Sequence, residues 1–391
     1  MDIGEARVAA ISFTTYSKHL NYGAVLHGFA FQRYLAAHGC PAATIDYVAR
    51  GLEGYSIRWP FLNARHRRLI PALRFLARWS FSLFANLRKE RKFRRFLREN
   101  LRLTDRTYRE RDLVAGDPEL DRFDVFVCES DVTWKKRDTA DFDRGFLLDF
   151  PSARAKTRVA YAPSLGSKPY PSGQEPRFVE AVRGFAAIGT REREGAEYVG
   201  RLLGRDIPWV LDPTLLLAAA EYAAIAKPPR FDGYVLLYTC MKYNRNMVEE
   251  ARRYADRLGR RLVEVGNYGV NRYLHGHAVI DDAGIEEWLG LFSHADAIVC
   301  NSFHGICFSI IFRKPFYVFS RGGDDFRFAN ICAATGLADR LLAPDGRIPA
   351  VDAAIDFDAV EAALAPVRAR SETFLREHVI GPAKARMEES R

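Results

Sequence analysis

Apolar residues in this chain come in short runs that end abruptly in small or polar ones. ARVAAISF (Ala6–Phe13), FDVFVCES (Phe123–Ser130) and TRVAYAPSLG (Thr157–Gly166) each read as a near-continuous apolar strand. NYGAVLHGFAFQRYLAAHG (Asn21–Gly39) instead spaces its apolar residues at helical intervals, with Asn21 placed to cap its start and Gly39 to end it. ATIDYV (Ala43–Val48) follows as a strand, so the opening is strand, helix, strand, which argues for a parallel sheet. FAAIGTREREGAEYVGRLLG (Phe185–Gly204) adds a strand, a polar corner and a helix, and WVLDPTLLL (Trp209–Leu217) comes next.

AIAKPPRFDG (Ala224–Gly233), with two adjacent prolines, reads as a linker. Beyond it YVLLYTC, RRLVEVG, the helix-like IEEWLGLFSHA, DAIVCNS and KPFYVFSR begin a second sheet. The fold class is therefore α/β: two Rossmann-like lobes with an interlobe cleft. We set the lobes at 1–222 and 223–370, with a C-terminal helix at 371–391 crossing back to the first. Ligands of such sheets sit beyond the carboxyl ends of the strands. Glu129, Ser130, Asp131, Ser164, Thr190, Arg191, Asn301 and Ser302 occupy polar strand ends and are candidates to line the cleft.

Charge changes the picture in one place. The formal net charge is +9, yet residues 58–106 carry 15 Lys or Arg against three acids, so the basicity belongs to that segment. It interrupts the strand–helix rhythm and reads as helices with Leu, Phe and Trp on one face and arginines on the other. Packing on the first lobe with a solvated basic face is the first reading. A foot on an anionic membrane surface is the second. Nucleic acid is the weakest, because no recognition motif accompanies the charge. No apolar run reaches the roughly 18 residues of a spanning helix, and the acid-bearing N-terminus does not resemble a secretory signal. Six scattered cysteines without a CxxC pair suggest neither zinc nor disulfides, and point to a reduced cytoplasm.

Candidate chemistry begins at CNSFHGICFSIIFRKP (Cys300–Pro315). NSFHG is a strand-to-helix corner, where unpaired backbone N–H groups suit an anion. Gly305 allows close backbone approach, Ser302 adds a hydroxyl, and His304 could transfer a proton beside a bound phosphate or carboxylate. For a lone histidine, capping or packing is the commoner role; the corner and its small neighbours favour function. Arg191, at another such corner, could clamp an anion or join a helix-surface ion pair, and Arg327 and Arg321 are further basic candidates. Asp131 and Trp134 suit a sugar, the acid accepting from hydroxyls and the ring stacking on the pyranose; the alternative is a cap and a core tryptophan. Asn21 and Tyr22 make a polar corner after the first strand. No GxGxxG fingerprint or P-loop is present.

Taken together, NYGAVLHGFAFQRYL, ESDVTW, RVAYAPSLG, GTREREGAEYV, VLDPTLLL and EEWLGLFSHADAIVCNSFHGICFSIIFRKPFYVFSR, followed by FRFANICAATGL, resemble the polysaccharide pyruvyl transferase family over most of the chain. The resemblance implies a GT-B-like arrangement of the lobes. It implies transfer of the enolpyruvyl unit of phosphoenolpyruvate to two hydroxyls of a sugar, giving a pyruvate ketal and phosphate. His304 would match the family's acid/base histidine and Arg191 an arginine that binds phosphoenolpyruvate. Some members carry arginine where this chain has Ser302, and many read GSD where it has ESD; Arg327 is the candidate for the missing charge.

The expected site is thus His304 and Asp131 as catalytic groups, with Arg191, Ser302, Gly305, Arg327 and Ser164 around phosphoenolpyruvate and Asn21, Tyr22 and Trp134 on the acceptor. We expect no metal, no nicotinamide or other cofactor, and no nucleic acid. The expected partners are phosphoenolpyruvate and a surface glycan or its lipid-linked precursor, at the inner face of the cytoplasmic membrane. The alternatives are a nucleotide-sugar glycosyltransferase of the same fold and a non-catalytic glycan-binding relative.

Overall fold

Two parallel sheets carry the chain. In the first half run β1 (Val8–Ile11), β2 (Ala42–Thr44), β3 (Tyr47–Val48), β4 (Tyr108–Arg109), β5 (Val125–Glu129), β6 (Thr157–Tyr161) and β7 (Ala187–Gly189). In the second run β8 (Tyr234–Thr239), β9 (Arg261–Gly266), β10 (Ala278–Ile280), β11 (Ala297–Cys300), β12 (Phe316–Phe319) and β13 (Leu341–Leu342). The sheets are ordered β2-β1-β5-β6-β7 and β10-β9-β8-β11-β12-β13, with β3 and β4 paired separately. The structure is a computed structural model that describes residues 6–15, 20–50, 69–135, 142–166, 170, 172–240, 243–266, 276–322 and 326–389, without the side chains of 69–82 and 172.

These orders decide where a ligand can sit. The chain moves from β1 to β2 on one side, then returns to lay β5 on the other; β8, β9 and β11 repeat the move. Each sheet therefore has a switch point, between β1 and β5 and between β8 and β11, where the following loops part and leave a crevice. The strands are apolar on both faces because both are covered. In β8, Leu236 and Tyr238 enter the main core, while Val235 and Leu237 join a second cluster with Met247, Tyr254 and Phe319.

The first lobe hands α1 (Tyr22–Ala37) to the interface. The Asn21 side chain accepts from the Gly23 and Ala24 amides and caps the start; Gly39, at φ 69°, follows the end. The basic segment forms α2 (Leu69–Asn100). Phe93 and Phe96 are fully buried and Phe84 is exposed; the side chains of Phe75, Trp79 and Phe81, and residues 58–68, lie outside the described residues. The described half of α2 is a clamp on the second lobe. Arg88 pairs with Asp282 at 2.7 Å, Lys92 with Glu287 at 2.8 Å and Arg95 with Glu286 at 2.9 Å. Lys89 is buried beneath them, its ammonium 4.3 Å from the centre of the Tyr22 ring, and burial lowers its pKa to about 7.

Further helices are α3 (Arg193–Leu203) in the first lobe, α4 (Ile285–His294), α5 (Phe303–Ile311) and α6 (Phe326–Ala334) between strands of the second sheet, and α7 (Phe357–Leu375) after it. The boundary set at 370/371 falls inside α7, which starts early because the Asp356 side chain caps it through the Asp358 and Ala359 amides. Its Ser371 hydroxyl accepts from Leu211 N, tying this helix to the end of the first lobe. All six cysteines are free and buried. Among the described residues, no helix is long and apolar enough to cross a membrane.

Candidate active site

The two switch points face each other, and each supplies a histidine. His304 lies in the first turn of α5, immediately after β11, and is 6% exposed. His27 lies on α1, after β1, and is fully buried. Their rings are near parallel, 24° apart, with centroids 5.9 Å apart.

Between and around them sit the acids and arginines that follow the other strands. β5 delivers Glu129, Ser130 and Asp131. Glu129 Oε1 accepts from His27 Nδ1 at 2.7 Å, and Asp131 Oδ2 lies 3.9 Å from His27 Nε2. Ser130 and Asp131 hold positive φ angles of 41° and 55°, and Ala162 beyond β6 holds 58°. Such conformations cost about 1–3 kcal/mol each outside glycine and persist where the surroundings over-determine them, commonly at functional sites. Here they turn the Asp131 carboxylate toward the cluster and aim the Ser130 hydroxyl at Asp212, to which it donates at 2.8 Å.

Asp212 is the centre of the group. It is buried in the LDPT turn, where Oδ1 accepts from the Thr214 amide at 3.0 Å and the Thr214 hydroxyl at 2.7 Å. Its Oδ2 accepts from Arg191 Nη1 at 2.9 Å and lies 3.6 Å from His304 Nε2. Burial works against its charge, but His304 and Arg191 outweigh it and hold the carboxyl well below the usual carboxylate range. Asp131 is likewise held low against burial, chiefly by His27 and Arg191. For His27, burial disfavours the cation, yet Glu129 and Asp131 raise its pKa to about 10.

Arg191 closes the lobes over this group. It is buried at the end of β7, packs 4.4 Å above the Phe303 ring of the second lobe, and has Asp131 at 3.8 Å and Glu192 at 3.5 Å. Its Nε and Nη2 atoms are buried without a hydrogen-bond partner among the described residues, as are His27 Nε2, His304 Nε2 and Arg327 Nε. Burial, with the like charges of Arg191 and Arg321, lowers the Arg327 pKa to about 10. Buried donors of this kind are otherwise satisfied by water or ligand. An anion among them would be bound by charge-assisted bonds, and His304 stands beside it to move a proton. Among the described residues, no group of three or more His, Cys, Asp or Glu could hold a metal ion.

The structure brings His304, Asp131 and Arg191 together and sets Arg327 within their field, with Ser302 two residues before His304 at the start of α5. Ser302, 5% exposed, starts α5 without a capping bond from its side chain. Ser164 is buried and its hydroxyl accepts from Gly166 N. Two expectations are corrected. Trp134 is 1% exposed, donates to Phe146 O and meets Phe178 and Phe185 edge-on, so its ring is core and cannot stack on a sugar. Tyr22 is fully buried, donates to Ala283 O and stacks on Trp288, so it joins the lobes and has no face left for an acceptor. Asn21 is half-buried, and its side-chain oxygen caps the helix as expected. Gly305 also serves packing: a Cβ there would lie 2.7 Å from Cys300 Sγ, so its bare backbone lets α5 settle on β11.

Sequence reasoning missed His27, Asp212 and the pairing role of Glu129. A signal for His27 existed: Gly23 and His27 are four apart on one helix face, directly after the capping asparagine. Asp212 carried only the DPT turn pattern.

The sequence profile described as "Polysaccharide pyruvyl transferase" matches residues 21–323, most of the chain. The chain belongs to this family. The match takes in His27, Glu129, Asp131, Arg191, Asp212 and His304 and ends before Arg327. Among curated proteins, none matches it in sequence. Among solved structures it is similar to a glycosyltransferase from Rickettsia africae ESF-5, at 9% identity and TM-score 0.43, covering 98% of this chain and 97% of that one. It is also similar to E. coli heptosyltransferase WaaC with ADP, at 13% identity and TM-score 0.35, covering 92% and 99%. S. aureus MnaA in complex with UDP gives 10% identity and TM-score 0.41, covering 97% and 91%. The two-lobed, GT-B-like architecture stands on the two parallel sheets and their facing switch points.

Proposed function

We propose that this polysaccharide pyruvyl transferase takes phosphoenolpyruvate as donor and joins its three-carbon unit to two hydroxyls of one sugar, in a surface glycan or its precursor. The observation that carries the reading is that Arg191 Nε and Nη2 and Arg327 Nε are buried without a hydrogen-bond partner among the described residues, while Arg191 shares Asp212 with His304. That set suits a small, densely charged anion next to a proton carrier.

The chemistry closes on one histidine. Protonated His304 gives its proton to the methylene carbon of phosphoenolpyruvate, leaving a cationic carbon stabilised by its oxygen. A sugar hydroxyl attacks that carbon and its proton returns to His304. His304 then protonates the bridging oxygen as phosphate leaves, and the second hydroxyl attacks, restoring the imidazolium. Diol and phosphoenolpyruvate become ketal and phosphate, with no redox change and no cofactor in the balance. Asp212, 3.6 Å from His304 Nε2, steadies the imidazolium in each protonated stage. Arg191 and Arg327 hold the phosphate and receive the charge that develops on it.

The test is incubation with phosphoenolpyruvate and a panel of hexosides, reading phosphate release and product mass. A product heavier by one pyruvate less one water, with one phosphate released, supports the reading. Glycosyl transfer from a sugar nucleotide with no use of phosphoenolpyruvate, or binding of glycans without turnover, overturns it.

A further inference from the structure

The proposed cycle charges and discharges His304 twice, so its neighbour matters. We propose that His27 is a positioning residue that remains protonated throughout the cycle and, by its charge, makes His304 a readier proton donor. In its activity arm this inference rests on the function proposed above.

The argument is geometric. His27 is fully buried, its Nδ1 is anchored on Glu129 at 2.7 Å, and its ring lies parallel to His304 at 5.9 Å between centroids. Nε2 has no hydrogen-bond partner among the described residues and faces Asp131 at 3.9 Å. The charged groups around it are Glu129 and Asp131 from the end of β5, Asp212 and Arg191 from the ends of the later first-lobe segments, and His304 from α5. Two acids contact the ring of His27, which keeps it cationic while His304 cycles. Two imidazolium rings at this distance repel, by an amount that partial screening by Glu129 and Asp131 reduces but does not cancel. Each time His304 is protonated it therefore carries a charge its neighbour opposes, which favours release of the proton to the methylene carbon or to the departing phosphate. Asp212 on the opposite side keeps the protonated form accessible. The arrangement is a balance between one attracting and one repelling partner, supplied by different strands.

The wild-type protein gives the first measurement. In a proton NMR titration of the imidazole resonances, the His27 signal should remain that of the imidazolium from pH 6 to pH 9, well past its free value of about 6.5. Titration of His27 near its free value overturns the proposal. The second uses His27→Gln, which keeps a donor for Glu129 and removes the charge, with His27→Asn should the first fail to fold. The His304 resonance should titrate at higher pH than in the wild type, and the alkaline limb of kcat/KM for phosphoenolpyruvate, where loss of the His304 proton stops the first step, should move to higher pH with it. An unmoved His304 midpoint in a folded variant means that His27 is only packing, and the proposal fails. Because the titration needs no turnover, it decides the coupling even if phosphoenolpyruvate proves not to be the donor; in that event the activity arm shows no turnover in the wild type as well.

Discussion

Gly23 and His304 come from different lobes and touch. A Cβ added to Gly23 would lie 2.0 Å from His304 Nδ1, so the imidazole rests against the bare backbone of α1 one turn below His27. This contact places the His304 imidazole of the second lobe in the crevice of the first.

Gly23→Ala should therefore hurt activity before stability. Nδ1 and the Cβ cannot share that space, and either His304 leaves its rotamer or α1 backs away from α5. We expect kcat to fall by about 100-fold, the scale of an ångström-sized misplacement of a catalytic group, with a smaller drop in melting temperature. Steady-state kinetics beside a thermal melt checks this; a variant of wild-type kcat would show that the contact is slack.

His304→Gln should remove the chemistry and leave the fold. General acid–base groups contribute about 10²–10⁴-fold in rate. Phosphate release should fall by that factor while phosphoenolpyruvate still stabilises the protein against heat. Retention of more than a tenth of the activity would move the proton carrier elsewhere.

Arg327→Gln should act on the donor. Its Nε is buried without a partner among the described residues, and the charge of Arg191 nearby favours an anion between them. A hydrogen bond to a charged group is worth about 1.5–3 kcal/mol, so KM for phosphoenolpyruvate should rise by about 10–100-fold, with KM for the sugar unchanged. A rise in the sugar KM alone would assign Arg327 to the acceptor.

Different groups of the site give up their contributions to stability on the two sides of neutrality. His27 is raised to about 10 from its ordinary value of 6.5, so its contribution is complete below pH 6.5 and is lost as pH rises through about 10. Asp131 and Asp212 are held below their ordinary 3.8, so theirs is complete above that value and is lost as pH falls through their folded values. Buried Lys89, lowered to about 7, acts in the opposite sense over this range in both proteins, so from pH 7 to 10 the urea midpoint of the wild type should fall relative to that of His27→Gln. A constant difference between the two would take the alkaline effect away from His27.

The clamp of α2 should respond to salt only weakly. Arg88, Lys92 and Arg95 are partly exposed, as are the acids they meet, and such pairs contribute about 0–1 kcal/mol. Arg95→Gln should cost less than about 1 kcal/mol in dilute buffer and nothing measurable in 1 M salt. A larger, salt-insensitive loss would mean that α2 holds the lobes by Arg95 itself rather than by the buried Phe93, Phe96 and Lys89.

Much of this was legible in the chain. Near-continuous apolar runs identified the strands, and the Asn21 cap and Gly39 bounded α1, because these signals depend on neighbours within a few residues. His304 was conspicuous for the same reason: it stands alone between a strand and an apolar helix. Trp134 misled because a tryptophan beside an aspartate looks alike whether it faces solvent or, as here, Phe178 and Phe185.

By itself the sequence determined two parallel sheets and the corner that bears His304, both from local periodicity and residue chemistry. Only the tertiary structure decided that His27, Glu129, Asp131, Arg191 and Asp212 converge on that corner. They come from positions 27 to 212, and their meeting depends on strand order: the return of β5 beside β1, and of β11 beside β8, opens both crevices on the same side. Strand order is set by which buried faces pack across the whole molecule, and no short stretch of sequence carries it.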